Sequence, residues 1–359
     1  MTENYIYNFI LSFLTAFGIT FFAIPPIIKV ANAKKLYDFP DKRKLHVSNI
    51  PTLGGISIFL GFIFAMTFWT NFKNCGHLQY VISSLVILSV IGIKDDIIGL
   101  SPFKKALGQI FATVLVVVWG DLRINNMYNI FGIGEMNYYV SVIFTCFTFL
   151  VLINAYNLID GIDGLAASLG IIAALAFGLL FYLNGENYQQ AILAVSLVGA
   201  LIGFLIYNIT PAKIFMGDTG SMVLGFILAF LAVELLEFQK PPSIHIVRVA
   251  SLPLITMSFV FVPLYDLVRV FSIRIWHGRS PFKPDQNHLH HLLLRLGFSH
   301  ISSTLIISVF SCLLIVLALV FQRHGSYWMG LILLSVCLLF TLILFILIRK
   351  RGSKLLSGK

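Results

Sequence analysis

Charge is what this chain has least of. Only 11% of its 359 residues are Asp, Glu, Lys or Arg, five of its fifteen acids are Glu, and 58% of the chain is hydrophobic, with Phe occurring 33 times. A soluble domain of this length does not carry so much apolar surface. Cysteine is nearly as scarce: Cys75, Cys146, Cys312 and Cys337 show no metal or redox spacing, and three of them sit inside apolar runs, so no disulfide framework is implied. There is no Walker loop and no G-x-S-x-G elbow, which sets aside an ordinary nucleoside triphosphatase or serine hydrolase. Internal repeats, low-complexity tracts and soluble-domain-sized loops are also missing. The first apolar segment, residues 6–30, lacks the basic flank and small-residue cleavage site of a secretory signal and is longer than a signal's apolar core, so it reads as a retained span.

What the chain does have is long apolar runs. At about 20 apolar residues per crossing, eleven candidates appear: 6–30, 53–72, 79–94, 106–120, 138–156, 165–183, 189–207, 220–238, 249–273, 303–322 and 327–348, the third and fourth being short. The expectation is an all-α, polytopic integral membrane protein of about eleven transmembrane helices. One membrane domain spans 1–348, and 349–359 form a basic tail that anionic headgroups would attract. An odd number of spans places the termini on opposite sides. Twenty of the 25 Lys and Arg then share the side of the carboxyl terminus, against nine acids, all Asp; the other side has five bases and six acids. The positive-inside rule puts the carboxyl terminus in the cytoplasm and the amino terminus outside.

Every unusual polar cluster falls in or beside a cytoplasmic loop on this topology. Residues 154–165, N-A-Y-N-L-I-D-G-I-D-G-L, place Asn154, Asn157, Asp160 and Asp163 at intervals of three, a spacing that gathers side chains on one helix face. A polar cluster between lipid-length runs is costly unless used, so it marks a site, the competing reading being interhelical glue. Residues 39–55, with Lys44 and His46 ahead of P-T-L-G-G, suit an anion, because helix amino termini present unpaired N–H groups. Asp95 and Asp96 are adjacent carboxylates at a span end, with Lys104 and Lys105 close behind; such a pair suits metal-assisted phosphate chemistry or proton transfer and has a raised pKa unless a cation is near. Residues 208–221 supply Asn208, Phe215, Asp218 and hydroxyls before a helix, oxygen ligands of the kind magnesium favours. In the longest loop His288, His290 and His291 crowd beside Arg269, Arg274, Arg279 and Lys283, which fits a diphosphate better than zinc, since no fourth ligand has zinc-like spacing. Carboxylates for a metal and cations for phosphate oxygens are the parts of phosphoryl transfer.

The runs D-D-x-x-x-L-S-P, N-A-Y-N-L-I-D-G-I-D-G-L-A, P-A-K-I-F-M-G-D-T-G-S and P-D-x-N-H-L-H-H-L-L resemble, in order and spacing, the polyprenyl-phosphate N-acetylhexosamine-1-phosphate transferases, over almost the whole chain. The H-L-H-H-L-L-L-R-L-G-F wording sides with the N-acetylglucosamine branch rather than with the related muramoyl-pentapeptide transferases. The resemblance implies a multi-pass enzyme of the bacterial inner membrane, with its active site on the cytoplasmic face. It would move N-acetylhexosamine 1-phosphate, most simply N-acetylglucosamine 1-phosphate, from a UDP-sugar to undecaprenyl phosphate and release UMP, as the first membrane step of an envelope polysaccharide. Magnesium is the implied cofactor, with manganese as substitute. The partners are the nucleotide sugar, the lipid phosphate and membrane lipids, not nucleic acid, and related enzymes tend to be dimers. On this reading Asp218 and Asn157 hold the metal, and Asp95, Asp96, Asp160, Asp163 and His288 are catalytic. Lys44, His46, Lys105, Asn154, Asn208, Phe215, Arg279, His290 and His291 contact substrate, Phe215 at the uracil. The alternative is a lipid-linked flippase or transporter, whose site would lie near the bilayer midplane.

Overall fold

A computed structural model describes residues 2–37, 50–71, 76–184, 188–237, 251–280 and 285–356. Where it is described, each of the eleven apolar runs falls largely on helix, and thirteen α-helices are described. In order these are α1 (Thr2–Lys34), α2 (Gly54–Trp69), α3 (Leu78–Ile98), α4 (Pro102–Val114) continuing into a π-turn (Leu115–Trp119), α5 (Tyr138–Ile159), α6 (Leu165–Asn184), α7 (Tyr188–Asn208), α8 (Gly217–Leu236), α9 (Leu252–Phe259), α10 (Phe261–Trp276), α11 (Leu289–Arg295), α12 (His300–Phe321) and α13 (Ser326–Leu356). Among the described residues, eight helical segments are long and apolar enough to cross a membrane, and α9 with α10, bent by 79°, makes a ninth if the pair is one span. The chain is a helical, polytopic membrane protein. The two short runs gain length from polar ends that stay helical: α3 has 21 residues and carries Lys94, Asp95 and Asp96 in its last turns. α13 continues through Leu356, so residues 349–356 prolong the last helix.

One element departs from the all-helical expectation. β1 (Asn126–Ile130) pairs antiparallel with β2 (Ile133–Glu135) in a small hairpin between α4 and α5. Its turn needs left-handed backbone at Tyr128, Asn129 and Phe131, which no periodicity in the sequence announces. The Tyr327 hydroxyl accepts the Phe131 N–H at 2.6 Å and ties the turn to α13.

Local chemistry sets the helix ends. Gly99, at φ +69°, stops α3, and Ser101-Pro102 restarts the chain as α4 with proline in the first turn, where its missing N–H costs nothing. Asn137 caps α5 by accepting the Val140 N–H at 2.9 Å. Helices in lipid gain little from hydrophobicity and associate by close packing of small residues. Gly61 lies against Ala16 and Thr20, and Gly199 against Phe13, bringing α1 close to α2 and α7. α8 is the centre, buried along nearly its whole length and bordered by α2, α3 and α5, whereas α1, α12 and α13 turn large side chains such as Phe22, Leu305 and Leu338 outward.

α3 and α8 run antiparallel, with Asp96 meeting Thr219 at one end and His77 meeting Glu234 at the other. Exposed Trp119, Phe131, Tyr139 and Trp328 lie on elements at the His77 end, the aromatic signature of a membrane–water boundary.

Candidate active site

The site is built on the amino terminus of α8. Gly217, at φ +69°, has Thr52 and the Asp96 carboxylate where a Cβ would stand, so only glycine lets α8 start here. Asp96 then caps the helix from α3: its Oδ1 accepts the Asp218 N–H at 2.7 Å, and its Oδ2 accepts the Thr219 N–H at 3.1 Å and the Thr219 hydroxyl at 2.6 Å. Losing a cap costs about 0.5–2 kcal/mol. Here it would also free the backbone that aims Asp218.

A second strut comes from residues 51–55. The Phe215 N–H donates to Pro51 O at 2.8 Å, the Gly54 N–H to Phe215 O at 2.9 Å and the Gly55 N–H to Met216 O at 2.8 Å. A side chain on Gly55 would collide with the backbone of Gly220. The expectation that this glycine pair offers unpaired N–H groups to an anion is therefore corrected: both are already bonded to the loop before α8. Phe215 is half-buried and belongs to this strut through its backbone. Lys44 and His46 lie outside the described residues.

Four residues from four helices meet beside Asp218. The Lys105 ammonium, on the first turn of α4, donates to Asp218 Oδ1 at 2.5 Å and Asn157 Oδ1 at 3.4 Å and lies 3.2 Å from Asp95 Oδ2. Asn157 directs its amide N–H groups to Asp218 Oδ1 and, at 2.8 Å, to Ser221 Oγ. The second Asp95 oxygen accepts the Leu100 N–H at 2.6 Å. The adjacent acids thus part ways, Asp95 to the cation and Asp96 to the helix cap. Among the described residues no group of three His, Cys, Asp or Glu is arranged to hold a metal. Two carboxylates and an amide converging on one cation position form an all-oxygen donor set, and they suit an ion such as magnesium that retains waters or substrate phosphates.

The expected single face for Asn154, Asn157, Asp160 and Asp163 does not form, because α5 ends at Ile159 and the chain turns, with Gly164 at φ +76°. Asn154 donates to Gln109 Oε1 at 3.0 Å and to Leu150 O at 2.8 Å, bonds of the kind that the interhelical-glue reading expects. Asp160 is half-buried beyond the helix end; burial first, then the charges of Asp218, Asp96 and Asp163, raise its pKa to about 8. Asp163 is buried, bonded to Thr210 Oγ1 at 2.8 Å and 3.3 Å from His300 Nδ1, so it pins the loop to its neighbours instead of facing the cation. Asn208 is likewise a fastener: its Oδ1 accepts the Gly164 N–H and its Nδ2 donates to Ile214 O, both at 2.8 Å.

The histidines close the other side. His290 is buried against the backbone of Gly161, where a side chain would strike its ring, and stacks on His288 with ring centres 5.6 Å apart and planes within 6°. Burial, reinforced by His291, drives the His290 pKa well below 6.5; burial with the charges of His288 and Arg295 lowers His291 to about 4. Both shifts favour the uncharged ring near pH 7, which offers hydrogen bonds to a ligand. His288 bonds through Nδ1 to Asp266 Oδ2 at 2.8 Å, while Asp266 Oδ1 accepts the Leu289 N–H at 3.0 Å and an Arg269 N–H at 2.8 Å. Arg274 pairs with Asp285 at 2.9 Å. Burial works against the Asp285 carboxylate, but the Arg274 and Asn287 bonds prevail and lower its pKa. Arg279 stands exposed beyond the end of α10.

Asp266, Gln109 and His300 were not singled out from the sequence. The available signal was Asp266 with Arg269, an ionisable pair three residues apart on an apolar span, which is costly unless paired.

Comparison with known proteins bears on this geometry. Residues 78–236 match glycosyl transferase family 4. The chain is 35% identical over 314 residues to the decaprenyl-phosphate N-acetylglucosaminephosphotransferase of Mycobacterium tuberculosis (strain ATCC 25618 / H37Rv), covering 82% of this chain and 78% of that one. It is 34% identical over 306 residues to the Mycobacterium leprae (strain TN) protein of the same description, covering 80% and 77%. To the undecaprenyl-phosphate alpha-N-acetylglucosaminyl 1-phosphate transferase of Escherichia coli (strain K12) it is 30% identical over 295 residues, covering 80% and 76%.

Proposed function

The chain belongs to glycosyl transferase family 4 and, within it, to the polyprenyl-phosphate N-acetylglucosamine-phosphate transferases; from that premise we propose that it moves N-acetylglucosamine 1-phosphate from UDP-N-acetylglucosamine to undecaprenyl phosphate. An oxygen of the lipid phosphate bonds to the sugar-bearing phosphorus, the bond from that phosphorus to the bridging oxygen breaks, and UMP leaves with the bridging oxygen. A lipid phosphate, with a second pKa of about 6, is already largely dianionic near neutral pH. The barrier is the meeting of negative charges rather than the want of a base.

The observation that carries the reading is the convergence of Asp218, Asp95 and Asn157 oxygens on one cation position, joined through Asp160 and Gly161 to the stacked His288 and His290. Asp218, Asp95 and Asn157 would hold magnesium, or manganese in its place. Bound there, the metal supplies charge neutralisation to the diphosphate. Asp96 positions Asp218 through the helix cap, Asp266 fixes His288 by its Nδ1 and leaves Nε2 to hydrogen-bond phosphate oxygens, and neutral His290 and His291 add donors.

The eleven-span topology stays part of this reading. α2, α3 and the bent α9–α10 pair would each cross once in addition to the eight longer segments, with the amino terminus outside, the carboxyl terminus and the active site cytoplasmic, and the protein in a bacterial inner membrane. Polar networks at opposite ends of α3 and α8 support two water-facing boundaries. The relatives are transferases, so the flippase alternative has no support. The test is incubation of purified protein with magnesium, undecaprenyl phosphate and a panel of UDP-sugars, followed by mass analysis of the lipid. Lipid diphosphate N-acetylglucosamine with equimolar UMP is expected, and no lipid product with any UDP-sugar would overturn the reading.

A further inference from the structure

Lys105 has more partners than a surface lysine needs. Its side chain is 16% exposed, its base is fixed on the first turn of α4 behind Pro102, and its ammonium stands within 3.4 Å of oxygens from three different helices: Asp218 of α8, Asp95 of α3 and Asn157 of α5. Without a positive charge between them, two carboxylates this close would repel and the cage would spread. A divalent cation held by the same oxygens would need the same space, and two positive charges cannot share it. A lysine is suited to leaving, because its charge is compact and rides on a flexible four-carbon stem, whereas a guanidinium is a rigid fork.

We propose that Lys105 is the resident cation of this cage: its ammonium keeps Asp95, Asp218 and Asn157 converged, gives way to the divalent cation, and then swings on its stem to the phosphate oxygens of the incoming nucleotide sugar. This rests on the reading that the Asp218 cage takes a metal. It makes the metal's affinity a competition, with the lysine as the internal rival. A lysine that served only to brace the acids would act in the opposite sense, since its removal would loosen the cage and weaken metal binding.

The experiment is Mn²⁺ binding to the detergent-solubilised full chain, read by electron paramagnetic resonance of free Mn²⁺, for wild type, Lys105→Met, Lys105→Gln, Lys105→Arg and Asp218→Asn, with thermal midpoints recorded for each. Lys105→Met and Lys105→Gln are expected to bind Mn²⁺ about tenfold more tightly, the size of effect that about 1.4 kcal/mol of lost competition produces, while their turnover falls. Lys105→Arg, which keeps the charge, stays nearer wild type. Affinity unchanged or weakened in whichever neutral variant keeps the wild-type midpoint overturns the proposal, as does Lys105→Arg binding as tightly as Lys105→Met. Asp218→Asn separates the two layers of inference. If it keeps wild-type Mn²⁺ affinity, the metal reading fails by itself; if it loses Mn²⁺ and the neutral Lys105 variants show no tightening, only the role of Lys105 fails.

Discussion

The two ends of the α3–α8 pair use the same chemistry to different ends. At one end Asp218 shares a lysine with Asp95, contacts an amide and keeps 32% of its side chain exposed. At the other, Glu234 is paired with His77, accepts the Gln190 amide at 3.0 Å and is only 7% exposed. Nearby Glu237 accepts the Arg123 N–H at 3.2 Å and the Asn125 amide at 3.3 Å, beside a cavity of about 420 Å³ lined by Asn125, Asn126, Tyr128, Glu135, Met136 and Leu236. On the proposed reading, a carboxylate becomes reactive here by being held by groups that can exchange, and structural by being closed in with a fixed partner. The observed difference lies in access: 32% against 7% exposed.

The sharpest way to break this comparison is to neutralise each acid. Asp218→Ala should cost about a thousandfold in transfer to undecaprenyl phosphate, while Glu234→Gln keeps turnover within about tenfold and loses stability instead. Product measured by mass from both variants decides, and equal losses would erase the distinction. Next comes the adjacent pair. Asp95→Ala should lower turnover by about a hundredfold with little change in thermal midpoint, whereas Asp96→Ala, which uncaps α8, should cost about 2 kcal/mol and melt several degrees lower in detergent. Matching profiles of rate and melting for the two would contradict their separate geometry.

A pH titration sharpens the outer end. Burial disfavours the charged imidazole of His77, but the bond to Glu234 and the charges of Glu234 and Glu237 outweigh it and raise its pKa above 6.5. A group whose folded pKa is raised stabilises the fold fully below its unfolded value, and that stability is lost as pH climbs through the folded one. The wild-type melting temperature should therefore decline as pH rises above about 6.5, and His77→Gln should flatten that decline at a cost of about 1–2 kcal/mol at low pH. A wild-type curve that is flat above pH 6.5 would remove the pair from the account. The smallest effect is expected at Asn154: its change to Leu should cost about 1 kcal/mol, the size of an interhelical bond in a membrane, and leave KM for the nucleotide sugar unchanged.

The sequence disclosed the spans and the polar clusters because each is local. Apolar length marks a crossing, and four short motifs carry most of the acids and imidazoles that meet in the site. It did not disclose how clusters divide their labour. Nothing near Asp96 says that it caps a helix beginning 121 residues later, at Gly217. Asn154 and Asn157 look equivalent by spacing, yet one faces Gln109 and the other Asp218, because each points at whatever helix lies across from it. Asp160 and Asp163 left the expected face once α5 ended at Ile159. The neutral state of His290 depends on burial that only packing supplies. The hairpin was missed because its backbone follows a turn and a tyrosine two hundred residues away rather than a periodic pattern.

Asp218 and Glu234 lie sixteen residues apart on one helix, roughly 24 Å at 1.5 Å per residue, close to the thickness of a bilayer's hydrocarbon slab. On the proposed topology, with the aromatic rim fixing one end at the far boundary, the cage would sit at the depth of the opposite leaflet's headgroup phosphates. A prenyl phosphate would then reach it by drifting sideways, its tail never leaving oil and its headgroup never leaving water. The acceptor's search would be two-dimensional, with the helix as a depth gauge for where a soluble sugar nucleotide comes to meet it.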